Sequence, residues 1–153
     1  MQTTYKISGG DFENAGTVAS SVKKMLQQMK ITPATIKRIV IAVYECEVNV
    51  VAHAFSGVAE VEIDNEKVTV RIKDIGPGIE DIDKAMEEGY STASQLVREM
   101  GFGAGMGLAN IKKNSDSMQI TSIPGKGTTV ELLTYFNKQE HNSLETANIY
   151  DNN

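Results

Sequence analysis

The stretch "ITPATIKRIVIAVYECEVNVVAHAF", Ile31 to Phe55, constrains the fold more than any other part of this chain. At 100° per residue, Ile36, Ile39, Val40, Val43, Val50 and Ala54 fall on one side of a helix, and Ile41, Tyr44, Val48, Val51 and Phe55 widen that apolar surface. A helix so apolar must be covered over most of its circumference, so the other elements have to gather around it. Thr32 is its expected N-cap and Pro33 suits its first turn. It is expected to run to about Phe55 and stop near Gly57.

Opposite the apolar side lies a narrow stripe of Arg38, Ala42, Glu45, Asn49, Ala52, His53 and Ser56. Glu45 and Asn49, at i and i+4, sit one above the other, with His53 a turn further on. The plain reading is the solvent face of an amphipathic helix. The two alanines argue otherwise, because they leave a shallow trough where a coat of lysine and glutamate is usual. A carboxylate and an amide oxygen at this spacing could hold Mg²⁺ and orient a nucleophile. Glu47 projects into the apolar side. Burying it unpaired would be costly, so it must find a partner, reach an edge or face another subunit.

Elsewhere the periods are shorter. "TTYKIS" alternates like a strand, and residues from about Asp11 to Lys30 have helical spacing. In that helix Asp11 is the expected N-cap, and Phe12, Val18, Val22, Met25, Leu26 and Met29 are the expected core positions. "VAEVEID" and "KVTVRIKD" form a hairpin around "NE"; "SMQITSI" and "GTTVELLTYF" form another around "PGKG". Between them come a short helix at "DIDKAMEEG", a long segment without clean period, and a helix from Gly105 to about Asn114. This order is α+β and suggests a mixed sheet covered on one face by helices. Residues 1–136 are expected to form the one domain, and the polar stretch 137–153 a frayed tail.

Composition narrows the function. A formal net charge of -5 argues against broad nucleic-acid binding, which needs a basic face. It does not argue against holding one nucleotide on backbone N–H groups. No apolar run reaches the roughly 18 residues of a membrane span, and the N-terminus lacks a signal-peptide pattern. A cytoplasmic protein is expected. Cys46, inside the apolar run, reads as a buried, inert thiol.

Two glycine-rich segments carry the remaining signal. "DIGPGI" follows a strand: Asp74 ends it, and Gly76 and Gly78 let the chain turn. An Asp there can accept a hydrogen bond from an exocyclic amine such as that of adenine. "GFGAGMGLANI" places glycines at 101, 103, 105 and 107. It is not a dinucleotide fingerprint, which would need Gly at Met106 or Leu108, nor a P-loop, since no Gly-Lys-Ser/Thr follows. It offers bare N–H groups leading into a helix, an anion site.

Four motifs in chain order, "E-x-x-x-N" (Glu45, Asn49), "D-x-G-x-G" (Asp74, Gly76, Gly78), "G-x-G-x-G-x-G-L" (Gly101 to Leu108) and "G-x-G-T-T" (Gly125 to Thr129), resemble those of the Bergerat-fold or GHKL ATPases. Within them the chain is most similar to the bacterial anti-sigma regulatory serine/threonine kinases, over about Tyr5 to Phe136. The resemblance implies an ATP- and Mg²⁺-dependent protein with the histidine-kinase-like ATPase fold, a two-layer α/β sandwich that agrees with the order of elements. In it Asn49 coordinates Mg²⁺ and Glu45 is the general base. Asp74 binds the adenine amine, with Gly76, Gly78, Ile79 and Thr129 around the base. Gly101, Gly103, Gly105, Met106, Gly107 and Leu108 surround the phosphates, and residues from about Glu80 to Met100 form a lid. Many such kinases carry an arginine just before the equivalent of "GMG". Here Gly103 and Ala104 stand there, and Arg98, with His53, is left as the phosphate contact. The implied partner is a small STAS-type anti-anti-sigma protein, a sigma factor, or both; a homodimer is compatible with the resemblance. Two readings follow: a protein serine/threonine kinase in partner switching, or an ATP-gated binding module with little catalysis, which the missing arginine favours.

Overall fold

The computed structural model describes residues 1–87 and 107–136. The chain order is β1 (Gln2–Ser8), a 3-10 turn (Phe12–Asn14), α1 (Thr17–Gln28), α2 (Pro33–His53), β2 (Ser56–Ile63), β3 (Lys67–Ile75), α3 (Ile82–Ala85), α4 (Gly107–Lys113), β4 (Ser117–Ile123) and β5 (Gly127–Tyr135). The strands form one sheet in the order β1-β2-β3-β5-β4. Every pairing among the described residues is antiparallel, which replaces the expected mixed sheet. Two hairpins account for two of the pairings. The α1–α2 pair returns the chain to the end of the sheet it left, so β2 also runs against β1.

Alternation along the strands puts Ile7, Ala59, Val61, Ile63, Val68, Val70, Ile72, Val130 and Leu132 on one face, all buried. They form one core with Val18, Val22 and Leu26 of α1, Ile39, Val43 and Val50 of α2, and Leu108 and Ile111 of α4. The opposite face carries pairs such as Arg71 and Glu131, whose Nη2 and Oε2 lie 2.6 Å apart. This is the expected two-layer α+β sandwich. Among the described residues no helix is long and apolar enough to cross a membrane.

Helix α2 starts at Pro33 as expected, and its first turn closes with the Ile36 N–H on the Thr32 carbonyl at 3.0 Å. It stops at His53, two residues short of expectation. Ala54 is extended, and Phe55 joins the sheet by donating its N–H to Ile75 O at 2.8 Å and accepting from Gly9 N at 2.9 Å. The Phe55 side chain therefore points out, 78% exposed, and Tyr44 is also exposed, so neither extends the apolar face. Ala42, assigned to the polar stripe, is buried over Val68, Val70 and Leu132. It lies only 60° from Ile39 around the helix, on the side that meets the sheet.

Asp11 does not cap α1. Its carboxylate takes the Asn14 side-chain amide at 2.9 and 3.1 Å beside the 3-10 turn, and α1 begins five residues later than that cap implied. Gly16, the residue before it, has φ +100°, a conformation that favours glycine, and has no side chain to cap with. Glu47 of α2 supplies the missing cap. Its Oε1 accepts from Gly16 N at 2.9 Å and Val18 N at 3.0 Å, and its Oε2 from Val18 N at 3.1 Å and Ala19 N at 3.2 Å. A carboxylate that is 2% exposed thus satisfies the otherwise unpaired donors of a helix N-terminus and lies at the positive end of its dipole. Glu47→Ala is expected to cost about 3 kcal/mol of unfolding free energy and Glu47→Gln about 1–2 kcal/mol, read by urea denaturation. Equal stability in all three proteins would show that the cap carries no energy.

Candidate functional site

Helix α2 presents its flanks to different neighbours. Successive positions at 100° place Glu47 toward α1 and Glu45 and Asn49 on the other flank, where α4 packs. There the Asn110 Nδ2 of α4 reaches Glu45 Oε1 at 3.5 Å, the outer limit of a hydrogen bond. Gly107, the first described residue of α4, lies so close to Asn49 that a Cβ on it would stand 3.0 Å from Asn49 Oδ1. Glu45 and Asn49 are both half-buried. His53 continues the line one turn on, and burial lowers its pKa from the ordinary imidazole value. Arg38, at the far end of the stripe, is bound to Asp116 at 3.3 Å and takes no part in this cluster.

The second cluster sits at the end of the sheet. Asp74 of β3 accepts the Thr128 N–H at 3.0 Å through Oδ1. Burial pushes its carboxyl pKa up, and the Thr128 N–H opposes that. The loop that follows is fastened down at three points: Gly76 N donates to Lys126 O at 3.0 Å, Gly125 N to Pro77 O at 2.7 Å, and Ile79 N to Ser122 Oγ at 2.7 Å. Gly78, at φ +71°, turns the chain where any Cβ would meet the Ile123 carbonyl. Gly76 lies against Ala54, the residue that follows α2, its notional Cβ 2.9 Å from Ala54 Cα. Since Ala54 follows His53, this contact joins the two clusters.

One sequence expectation changes here. Thr129, expected beside the base, pairs with Lys73 and Thr121 on the uncovered face of the sheet. Thr128 lies with Val130 on the covered face and meets Asp74 in its place. The side chain of Leu108, a residue expected near the phosphates, is buried in the core. Arg98, Gly101, Gly103, Gly105 and Met106 lie outside the described residues. Cys46 is buried as expected: burial, helped by the neighbouring Glu45 charge, raises its thiol pKa and leaves it protonated. Sequence reasoning missed Asn110, Ser122 and Thr128. Strand alternation from Val130 and Leu132 could have found the last. A broad cleft between α1 and α2, lined by Gly16, Ser20, Lys23, Lys24 and Tyr44, includes none of these residues.

A polar helix flank facing a glycine-led helix, beside an Asp at a strand end, on an antiparallel two-layer frame, agrees with the comparison to known proteins. The chain belongs to the histidine kinase-like ATPase domain family, whose description matches residues 10–134. It is similar to the protein called Anti-sigma F factor in Thermoanaerobacter sp. (strain X514), 31% identical over 128 residues, covering 80% of this chain and 86% of that one. Similar too are the Anti-sigma F factors of Clostridium botulinum (strain Eklund 17B / Type B), 33% identical over 131 residues with 82% and 88% covered, and of Oceanobacillus iheyensis, 28% identical over 134 residues with 84% and 88% covered.

The lowered His53 pKa has a sign that can be checked. Neutral imidazole is favoured in the folded state, so the stability His53 contributes is present above pH 6.5, its ordinary value, and is lost as pH falls through the folded midpoint. A proton-detected NMR titration is expected to place that midpoint below 6.5; a midpoint at or above 6.5 would refute it.

Proposed function

We propose that this chain is an ATP-binding anti-sigma regulator that phosphorylates a serine or threonine on a small STAS-type antagonist protein. The observation that carries the reading is the pair Glu45 and Asn49 on one flank of α2, facing a helix whose first described residue, Gly107, has no side chain to block them.

The residues suit Mg²⁺. Among the described residues no three His, Cys, Asp or Glu side chains cluster as a metal cage. Mg²⁺ keeps several waters and takes most other ligands from phosphates, so one protein oxygen, that of Asn49, suffices. When bound, the ion would neutralise charge on the phosphates. Asp74 and Thr128 would meet the amine of adenine. Gly101, Gly103 and Gly105 would offer backbone N–H groups to the phosphates, and Arg98 and His53 are the side chains available to them.

Glu45 does the proton work. The attacking hydroxyl oxygen forms a bond to the γ-phosphorus as the bond from phosphorus to the β–γ bridging oxygen breaks. ADP leaves with that electron pair, and the hydroxyl proton passes to Glu45. The uncharged Asn110 amide lies 3.5 Å from the carboxylate. Phosphoserine on the antagonist would then add charge at an interface and switch partners. A second reading, an ATP-gated binding module, is favoured by Gly103 and Ala104 standing where many relatives of this kind carry an arginine.

Transfer of labelled γ-phosphate to candidate antagonists separates the two. Glu45→Gln is expected to cut transfer at least about 100-fold while ATP affinity stays within about threefold. Wild-type transfer by Glu45→Gln would remove the base assignment, and nucleotide-dependent complexes without transfer would favour the module. Gly107→Ala tests the other half of the site. Alanine is the better helix former by about 1 kcal/mol, yet its Cβ would press on Asn49 Oδ1. Stability is expected to hold while ATP affinity falls about tenfold, a loss of about 1.4 kcal/mol. Unchanged affinity would separate Asn49 from the nucleotide.

A further inference from the structure

Ser122 of β4 faces Thr128 of β5 across the sheet, on the helix-covered side. Its Oγ accepts the Ile79 N–H at 2.7 Å, and lies 3.1 Å from Gly127 O and 2.9 Å from Thr128 Oγ1. A hydroxyl has one proton to donate and two lone pairs to accept with. The Gly127 carbonyl can only accept, so the Ser122 proton goes there. The Thr128 hydroxyl must then donate to Ser122 and fill its second lone pair.

That arrangement fixes what Thr128 can offer elsewhere. Its proton is committed to Ser122, and its N–H to Asp74 Oδ1 at 3.0 Å. Its oxygen is left with lone pairs alone. Two acceptors, the Asp74 carboxylate and the Thr128 hydroxyl oxygen, therefore stand together at the covered end of β3 and β5, with Gly76 beside them.

We infer that Ser122 is a positioning residue that sets the hydrogen-bond polarity of this pocket, so that it takes a 6-amino purine and rejects a 6-oxo purine. The inference rests on reading the site as a nucleotide pocket. An exocyclic amine brings two N–H donors to two acceptors, whereas a 6-oxo group brings lone pairs against lone pairs. Pockets built on such polar matching discriminate strongly, because the wrong partner leaves buried groups unpaired. Without the Ser122 hydroxyl, Thr128 is free to turn its proton toward the base, and the discrimination relaxes. The same hydroxyl holds Ile79 and so keeps the loop after Asp74 in place.

The test is calorimetric binding of ATP and of inosine triphosphate, its 6-oxo counterpart, to the full chain, with the thermal midpoint measured alongside. Wild type is expected to prefer ATP. Ser122→Ala is expected to weaken ATP about tenfold and leave inosine triphosphate unchanged, so the ratio falls about tenfold. Ser122→Thr, which keeps the hydroxyl, should restore the ratio to within about threefold. Ser122→Cys, a poor hydrogen-bonding isostere, is read in place of Ser122→Ala if that variant does not fold. A ratio that survives in the Ala or Cys variant, whatever the thermal midpoint does, overturns the inference alone. A wild-type chain that binds neither triphosphate overturns the nucleotide reading and the inference together.

Discussion

The carboxylate of Glu47 on the N-terminus of α1 is the contact around which the helical layer is arranged. Gly16 starts α1 in a backbone conformation that supplies no cap, so the first N–H groups of that helix would be buried without partners. The acid that satisfies them comes from the turn of α2 that lies between Glu45 and Asn49. The stretch from Glu45 to Val50 thus points Glu47 at α1, Cys46 and Val50 into the core, and Glu45 and Asn49 at α4. If α1 were held by apolar contacts alone it could slide along α2. Donors at 2.9–3.2 Å from one carboxylate set its register, and they set it against the turn that carries the candidate chemistry.

Much of the frame was legible because it rests on local periods. Both hairpins, the start of α2 at Pro33 and the burial of Val18, Val22 and Leu26 follow from alternation or 3.6-residue spacing. What was not legible depends on pairs distant in sequence. Nothing near Glu47 announces a partner 28–31 residues away, and a lone acid among apolar residues reads only as a problem. Asp11 looked like a cap because the positive φ at Gly16, which delays the helix, cannot be read from composition. The antiparallel sense of β1 against β2 depends on how two helices pack, and spacing does not encode that.

The site shows the same division. Glu45, Asn49, Asp74 and the glycines stand in motifs whose spacing survives in the sequence, and the described ones fall into two adjoining clusters. The Thr128 and Thr129 exchange is different in kind. Both threonines fit the motif, and only the parity of the strand decides which faces Asp74. Counting back by two from Val130 resolves it. Ser122 carries no signal of its own, since a serine at the end of an edge strand is ordinary until the loop it holds is seen.

The two clusters differ in how firmly they are built. Around Asp74, bonds of 2.7–3.0 Å from Thr128, Ile79, Gly76 and Gly125 tie a loop and three strands into one unit. Around Glu45, the polar link from α4 among the described residues is one contact at 3.5 Å, and α4 is held on α2 by the apolar burial of Leu108 and Ile111. Ala54 against Gly76, together with the Phe55 N–H on the Ile75 carbonyl at 2.8 Å, joins the two halves just past the end of α2, the helix that also carries Glu47.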